Sequence, residues 1–125
     1  MTFWVVLLVA GAGGLGAVCR FLLSGVIGRV TKTKIPWATF AINVSGSFVV
    51  GLVAGLAAAT LVPVEWRLVV GTGFLGGYTT FSTFSTDTVE LLRSRRPGAA
   101  VIYSFGMLVS ALAATAVGLL VASFI

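Results

Sequence analysis

The run GTGFLGGYTTFSTFST at residues 71–86 combines groups that could handle ions inside a hydrophobic stretch of chain. It contains four glycines, a dense series of Ser and Thr hydroxyls, and Phe81 and Phe84 three residues apart. We expect the helix to break at Gly76 and Gly77. A broken helix at membrane depth is tolerated only where the freed backbone is buried in protein or lines a watery path. The run is therefore the candidate functional segment of a membrane protein.

Two kinds of ion contact are conceivable in this run. In an unwound stretch the main-chain carbonyls around Gly76 and Thr79 lose their intrahelical partners. Such carbonyls can coordinate a cation, as in broken-helix transporters, or can accept hydrogen bonds from Ser and Thr side chains. Phe81 and Phe84 share one helix face. The positive edges of their rings can face an anion, and packing against lipid or protein is the alternative.

Other polar groups also lie within hydrophobic spans. A charge such as Arg20 is rare there and usually functional, so Arg20 could attract anions; alternatively it snorkels toward the loop two turns away. Thr39, Asn43 and Ser47 step by four and share one helix face. That face could line a pore or hold helices together.

The acidic residues and the single cysteine favour structural roles. Asp87, Glu90 and Arg93 are spaced three apart, which predicts a local ion pair, with a proton relay through Asp87 as the alternative. Cys19 is interpreted as a small buried apolar residue. The chain has no histidine. With no carboxylate pair at membrane depth either, we do not expect an enzyme.

Composition indicates the elements that must position these groups. The 125 residues are 58% hydrophobic and 9% charged, which is typical of an integral membrane protein. A spanning helix needs about 20 apolar residues. We therefore predict an all-α integral membrane protein with a single transmembrane domain over residues 1–125, four transmembrane helices, and the third helix broken near its middle. The predicted helices cover residues 2–27, 37–60, 68–92 and 99–124.

Rows of small residues predict close helix packing. Ser47, Gly51 and Gly55 step by four along the second span, and Ala12 and Gly16 do so in the first. Such rows let helices approach closely in lipid. Because four helices alone enclose little space, we expect some of these faces to meet a second copy or a paralogue.

The charges predict an orientation. Four spans place both termini on one side, and the connections after spans one and three on the other. These two connections hold six of the basic residues: Arg29, Lys32, Lys34, Arg93, Arg95 and Arg96. Only Arg67 lies on the terminal side. The positive-inside rule therefore predicts cytoplasmic loops and external termini. Because the net charge of +5 is concentrated near span ends, we do not expect nucleic-acid binding.

Three segments together resemble the Fluc/CrcB family of fluoride channels. They are GGLGAVCRF at 13–21, PWATFAINVSGSFVVG at 36–51 and GFLGGYTTFSTFS at 73–85. The resemblance covers nearly the whole chain. It implies a multi-pass protein of a bacterial cell membrane that exports cytoplasmic fluoride down its electrochemical gradient and protects against fluoride toxicity. It also implies an antiparallel dimer of four-helix subunits, with a structural sodium ion at its centre.

The resemblance assigns a role to each matching residue. Gly76 and Thr79 match the positions whose carbonyls hold sodium, and Phe81 and Phe84 match the pore-lining phenylalanines. The other implied positions are the pore asparagine Asn43, the vestibule arginine Arg20, the hydroxyls Ser82 and Thr83 beside the pore, and the fourth-helix residues Thr115 and Tyr103.

Two departures from the family pattern stand out. Serines of the fourth helix in some relatives fall here at Met107 and Ala111, so one pore wall is poorer in hydroxyls unless a partner chain supplies them. A member that inserts in both orientations needs nearly balanced loop charge, whereas this chain is strongly biased. We therefore hypothesise that it pairs with an oppositely oriented paralogue rather than with itself.

Two other classes of membrane protein fit the length of the chain. A small dual-topology drug exporter would need a membrane-embedded carboxylate in its first helix, where this chain has only Arg20 as a charged side chain. A scaffold protein would explain the glycines but not the TTFSTFS cluster at residues 79–85.

Overall fold

The computed structural model describes residues 2–31, 33 and 35–125, and this part of the chain forms helices and no strands. The long helices are α1 (Phe3–Val30), α2 (Trp37–Ala58) and α5 (Pro97–Ala122). All three are long and apolar enough to cross a membrane. Between α2 and α5 lie α3, over residues 64–78, and α4 (Ser82–Arg93). The predicted all-α membrane fold is confirmed at this level.

α3 is not a uniform α-helix. It starts as a short α-helical turn at Val64–Trp66, continues as a π-helix over Arg67–Leu75, and ends with an α-helical turn at Gly76–Tyr78. The third predicted span, residues 68–92, therefore corresponds to two helices, α3 and α4, with residues 79–81 between them. π-helical segments are rare and occur frequently at functional sites.

Helix ends differ from the predicted bounds by a few residues, for local reasons. α1 continues to Val30 and carries Arg29 in its last turn, where a cation offsets the negative end of the helix dipole. α2 stops at Ala58 because Thr60 adopts a left-handed φ of 58°. α5 begins at Pro97, because proline lacks only an N–H that has no partner in the first turn.

The helices pack as two close pairs, α1 with α3 and α2 with α5. A Cβ at Gly16 in α1 would overlap the Phe74 carbonyl of α3. A Cβ at Gly51 in α2 would likewise overlap the Thr115 carbonyl of α5. Both small-residue rows are thus used within the chain, because only glycine permits this backbone approach. These contacts account for Gly16 and Gly51 within one chain, and the expectation that some small-residue faces meet a second copy or a paralogue stays a prediction.

Two glycines two residues apart on α1 provide a test of this packing. Gly16→Ala should destabilise the fold by about 1–3 kcal/mol, because the new methyl collides with the backbone of α3. Gly14→Ala should leave stability unchanged or raise it by up to about 1 kcal/mol, because its Cβ meets nothing within 4 Å and alanine favours the helix. Thermal unfolding in detergent measures both. Equal effects of the two variants would contradict the packing.

The two predicted basic connections lie at one end of the molecule. Pro36, just before α2, lines a small cavity together with Leu91 and Ser94 at the end of α4. The chain between α1 and α2 and the chain between α4 and α5 are therefore neighbours. Lys32 and Lys34, which we assigned to the first of these connections, lie outside the described residues.

Candidate functional site

The chain leaves helical geometry at Thr79, whose φ of −79° and ψ of 158° are extended. Gly76 and Gly77 are helical, so the expected break at these two glycines is wrong by about three residues. The position of Gly77 has a packing reason: a Cβ there would overlap the Gly13 carbonyl of α1. The interruption consists of residues 79–81 and lies where a side chain of α2 forms hydrogen bonds with the backbone.

That side chain is Asn43. Its Nδ2 donates to the Thr80 carbonyl at 2.8 Å, and the Thr80 N–H donates to its Oδ1 at 2.9 Å. In a continuous α-helix the Thr80 N–H would bond to the Gly76 carbonyl. The amide of Asn43 thus replaces helix hydrogen bonding at this point. Its two bonds also define its orientation, because a flipped amide would face donor with donor and acceptor with acceptor.

Thr80 is secured by its side chain as well. Its hydroxyl accepts the Thr83 N–H at 3.1 Å and lies 3.2 Å from the Ser82 hydroxyl. A hydroxyl that accepts from a backbone N–H in the first turn acts as a helix cap. Thr80 is buried. The interruption is therefore a defined structure in which the Thr80 backbone and side chain are both bonded.

A groove of about 580 Å³ runs beside the interruption, between α2, α4 and α5. It brings together four of the predicted pore residues: Asn43, Phe81, Phe84 and Thr115. Its other polar lining residues are Ser47, Thr79, Thr80 and Ser104. Ser104 was missed from the sequence, although 104, 108, 111 and 115 recur at helical spacing and mark one face of α5.

The two phenylalanines sit differently in this groove. Phe81 is 79% exposed, whereas Phe84 is half-buried. Their ring centroids are 5.9 Å apart with planes tilted by 56°. Phe84 also packs against Tyr103, with centroids 5.4 Å apart. The structure thus places Tyr103 behind the ring of Phe84 and not among the groove-lining residues.

Asp87 ties three helices together. Its Oδ2 accepts the Thr39 hydroxyl of α2 at 2.7 Å and the Tyr103 hydroxyl of α5 at 3.5 Å. The expectation of a local ion pair is therefore wrong for Asp87, whose carboxylate is used between helices. Spacing along one helix could not reveal this, because both hydroxyls come from other helices.

Arg20 and Thr83 line a second, smaller cavity of about 230 Å³. Thr80 also lines it, as do Ser24 and Thr39. The interruption therefore contributes Thr80 to the lining of both the second cavity and the groove. The remaining predicted hydroxyl, Ser82, is exposed and bonds to Thr80.

The described residues contain no cluster of three or more Cys, Asp or Glu side chains that could hold a metal ion. A cation at this site would need main-chain oxygens. Gly76 offers one, because the Thr80 N–H that normally bonds to it is directed to Asn43. The Thr79 hydroxyl donates to the Leu75 carbonyl at 2.9 Å. The Thr79 side chain is therefore bonded to the last turn of α3.

These features define a multi-pass helical membrane protein with a largely apolar groove that contains polar side chains beside a helix interruption. The family model for the CrcB-like protein, Camphor Resistance (CrcB), matches residues 7–119. The chain belongs to this family, which confirms the resemblance drawn from its motifs.

Bacterial relatives cover almost the full chain. Fluoride-specific ion channel FluC 1 of Leifsonia xyli subsp. xyli is 52% identical over 119 residues, which is 95% of this chain and 87% of the relative. Fluoride-specific ion channel FluC 2 of Nitrobacter hamburgensis is 47% identical over 90% of this chain and 92% of the relative. Fluoride-specific ion channel FluC 3 of Bifidobacterium longum is 42% identical over 97% of this chain and its own whole length.

Proposed function

We propose that this protein is a fluoride-selective channel, not an enzyme, that lets cytoplasmic fluoride leave a bacterial cell down its electrochemical gradient. One observation carries the proposal: Asn43 of α2, Phe81 between α3 and α4, and Phe84 of α4 line the same groove. The names of the bacterial relatives support it. In acid surroundings hydrogen fluoride crosses lipid and ionises inside, so passive exit is sufficient protection.

The groove offers donors without a full positive charge. Fluoride is small and holds its water tightly, so a pore must replace that water with short hydrogen bonds. A pore must also bind the ion weakly enough to release it. None of the residues that line the groove is charged. An amide, hydroxyls and aromatic edges meet both requirements, whereas a buried lysine would hold the anion too strongly.

Arg20 is proposed to act at the entrance. It lies in the cavity beside Thr83 and Thr80 rather than in the groove. A positive charge in a cleft raises the local concentration of anions. Arg20 can therefore supply fluoride to the interruption without binding it inside the pathway.

A structural sodium ion is proposed at the main-chain carbonyls of Gly76 and Thr79. Carbonyl oxygens are hard ligands suited to hard cations. The diversion of the Thr80 N–H to Asn43 removes the helical donor from the Gly76 carbonyl, which fits such a role. Bound sodium would supply positive charge that joins two copies of the interruption.

Sodium should therefore stabilise the assembled protein. We expect the melting temperature in detergent to rise with sodium concentration, as for any ligand that binds only the folded state. N-methylglucamine at the same ionic strength is the control, because it is too large for a carbonyl site. Equal melting temperatures in the two salts would contradict the sodium site.

The functional unit is proposed to be an antiparallel dimer of four-span subunits, in which α3 and α4 together form the third span. Phe81 is 79% exposed although it lines the groove, which leaves its other side for a second chain. That chain is either a second copy or an oppositely oriented paralogue. Lipid surrounds the remaining apolar faces.

Loop charge predicts the orientation of this chain. With reporters fused to each terminus and the chain expressed alone in a bacterium, we expect both termini outside, because six Lys or Arg lie in or directly beside the two connections opposite. A single orientation supports pairing with a paralogue. Comparable amounts of both orientations would contradict it and leave the homodimer.

A growth assay tests the function in cells. Expression in a bacterial strain without its own fluoride exporter should restore growth in fluoride, together with a partner chain if one is needed. An empty vector is the control for expression. Failure of the folded and correctly paired protein to protect the cells would contradict fluoride export.

A further inference from the structure

Most hydroxyls in the groove already donate their hydrogen within the chain. Thr79 donates to the Leu75 carbonyl at 2.9 Å and Ser104 to the Ala100 carbonyl at 2.9 Å. A hydroxyl has a single hydrogen to donate. Such a side chain must break an internal bond before it can donate to an anion.

Thr115 is engaged in the same way. Its hydroxyl lies 3.0 Å from the Ala111 carbonyl and 3.2 Å from the Ser47 carbonyl, and donates to both. This bifurcated bond joins α5 to α2. The resemblance implies a polar role for Thr115, and the geometry directs its hydrogen to the backbone and not to the groove.

Ser47 is the exception. It is half-buried and lines the groove, and its hydroxyl forms no hydrogen bond with the described part of the chain. It lies four residues after Asn43, so the two side chains occupy one face of α2, about one turn apart. Asn43 uses one amide hydrogen on the Thr80 carbonyl and has a second one left.

The opposite wall of the groove offers no such donor at this level. Met107 and Ala111 of α5 line it and carry no hydroxyl. The Ser47 hydroxyl and the second amide hydrogen of Asn43, both on α2, are therefore the groups that can donate to an anion between the two walls.

We propose that Ser47 is a fluoride-binding residue, whose hydroxyl donates to the ion one turn along α2 from Asn43. This inference rests on the proposed channel function and adds a binding position to it. Ser47 and the free amide hydrogen of Asn43 then form two successive contacts along the groove. Multiple weak contacts in sequence suit conduction, because the ion can pass from one to the next.

The test compares two serines of α2, Ser47 in the groove and Ser45 outside it, by fluoride efflux from liposomes. Ser47→Ala should lower the efflux rate by about tenfold or more, because a hydrogen bond to a charged group is lost. Ser45→Ala should change it by less than about twofold, because Ser45 does not line the groove and its hydroxyl already bonds to the Ile42 carbonyl and the Tyr78 hydroxyl. Adding Ala111→Ser to the Ser47→Ala protein should recover part of the rate, since it places a hydroxyl on the facing wall.

The outcomes separate this inference from the channel function. Unchanged efflux for Ser47→Ala in a conducting protein overturns the role of Ser47 and leaves the channel intact. Absence of efflux in the parent protein contradicts the channel itself. If Ser47→Ala does not assemble, Ser47→Cys serves instead, because the thiol keeps the volume but is a weak donor; wild-type efflux from that variant also overturns the proposal.

Discussion

Asn43→Asp is expected to abolish fluoride efflux, with a fall of more than about 100-fold. The aspartate would keep an acceptor for the Thr80 N–H but would face the Thr80 carbonyl with a second oxygen, where Asn43 now donates at 2.8 Å. It would also place a negative charge in the groove. Repulsion between two unit charges at 4 Å is about 4 kcal/mol near a protein surface, and each 1.4 kcal/mol is a factor of ten. Liposome efflux measures the change.

Asn43→Leu removes the same hydrogen bonds without adding charge. The Thr80 N–H and carbonyl would lose their partners, at about 1–3 kcal/mol for each unsatisfied buried group. Ser45→Ala is the matched control on the same helix: it removes a bond to the Tyr78 hydroxyl at 2.9 Å but leaves the groove unchanged. Wild-type efflux from Asn43→Asp, alongside an unaffected Ser45→Ala, would contradict the role given to Asn43.

Phe81→Ile and Phe84→Ile should each lower fluoride efflux by about tenfold or more while the protein still assembles. Isoleucine keeps apolar bulk but has no positive ring edge to face an anion, an interaction of about 1–2 kcal/mol in related aromatic contacts. The single chain should still fold in Phe81→Ile in particular, because the Phe81 ring is 79% exposed within it. Size-exclusion chromatography and liposome efflux give the two readings.

Phe3→Ile is the control for this pair. Phe3 is 69% exposed at the start of α1 and does not line the groove, so its replacement should leave efflux unchanged. If all three variants conduct equally, the rings of Phe81 and Phe84 only pack. Loss of assembly in Phe84→Ile alone would assign that ring a structural role against Tyr103, from which it is 5.4 Å away.

Hydrophobicity was sufficient to predict the helical membrane fold, and the family resemblance named four of the residues that line the groove, Asn43, Phe81, Phe84 and Thr115. Apolar runs of this length can cross a membrane in few conformations other than a helix, because every backbone polar group in lipid must form a hydrogen bond within the protein. The spacing of Thr39, Asn43 and Ser47 likewise placed them on one face. Two of these residues line the groove, and Thr39 binds Asp87 one turn away.

Properties that depend on contacts between helices could not be predicted. The interruption was expected at Gly76 and Gly77 from helix propensity, which describes one helix at a time. Its actual position follows from the Asn43 amide of another helix. The partners of Asp87 come from other helices for the same reason. The three-dimensional arrangement is also needed to see which hydroxyls already donate a hydrogen bond, and that the Ser47 hydroxyl has no partner within residues 2–31, 33 and 35–125.

The most direct test of the central claim is fluoride efflux from liposomes that contain the purified protein, run in parallel with chloride. The protein is first shown to be folded and correctly paired, alone or with a paralogue. We predict fast fluoride efflux and no chloride efflux above that of protein-free liposomes, because the groove offers short hydrogen-bond donors and no fixed charge. No fluoride efflux, or equal efflux of both anions, would contradict the proposal of a fluoride-selective channel.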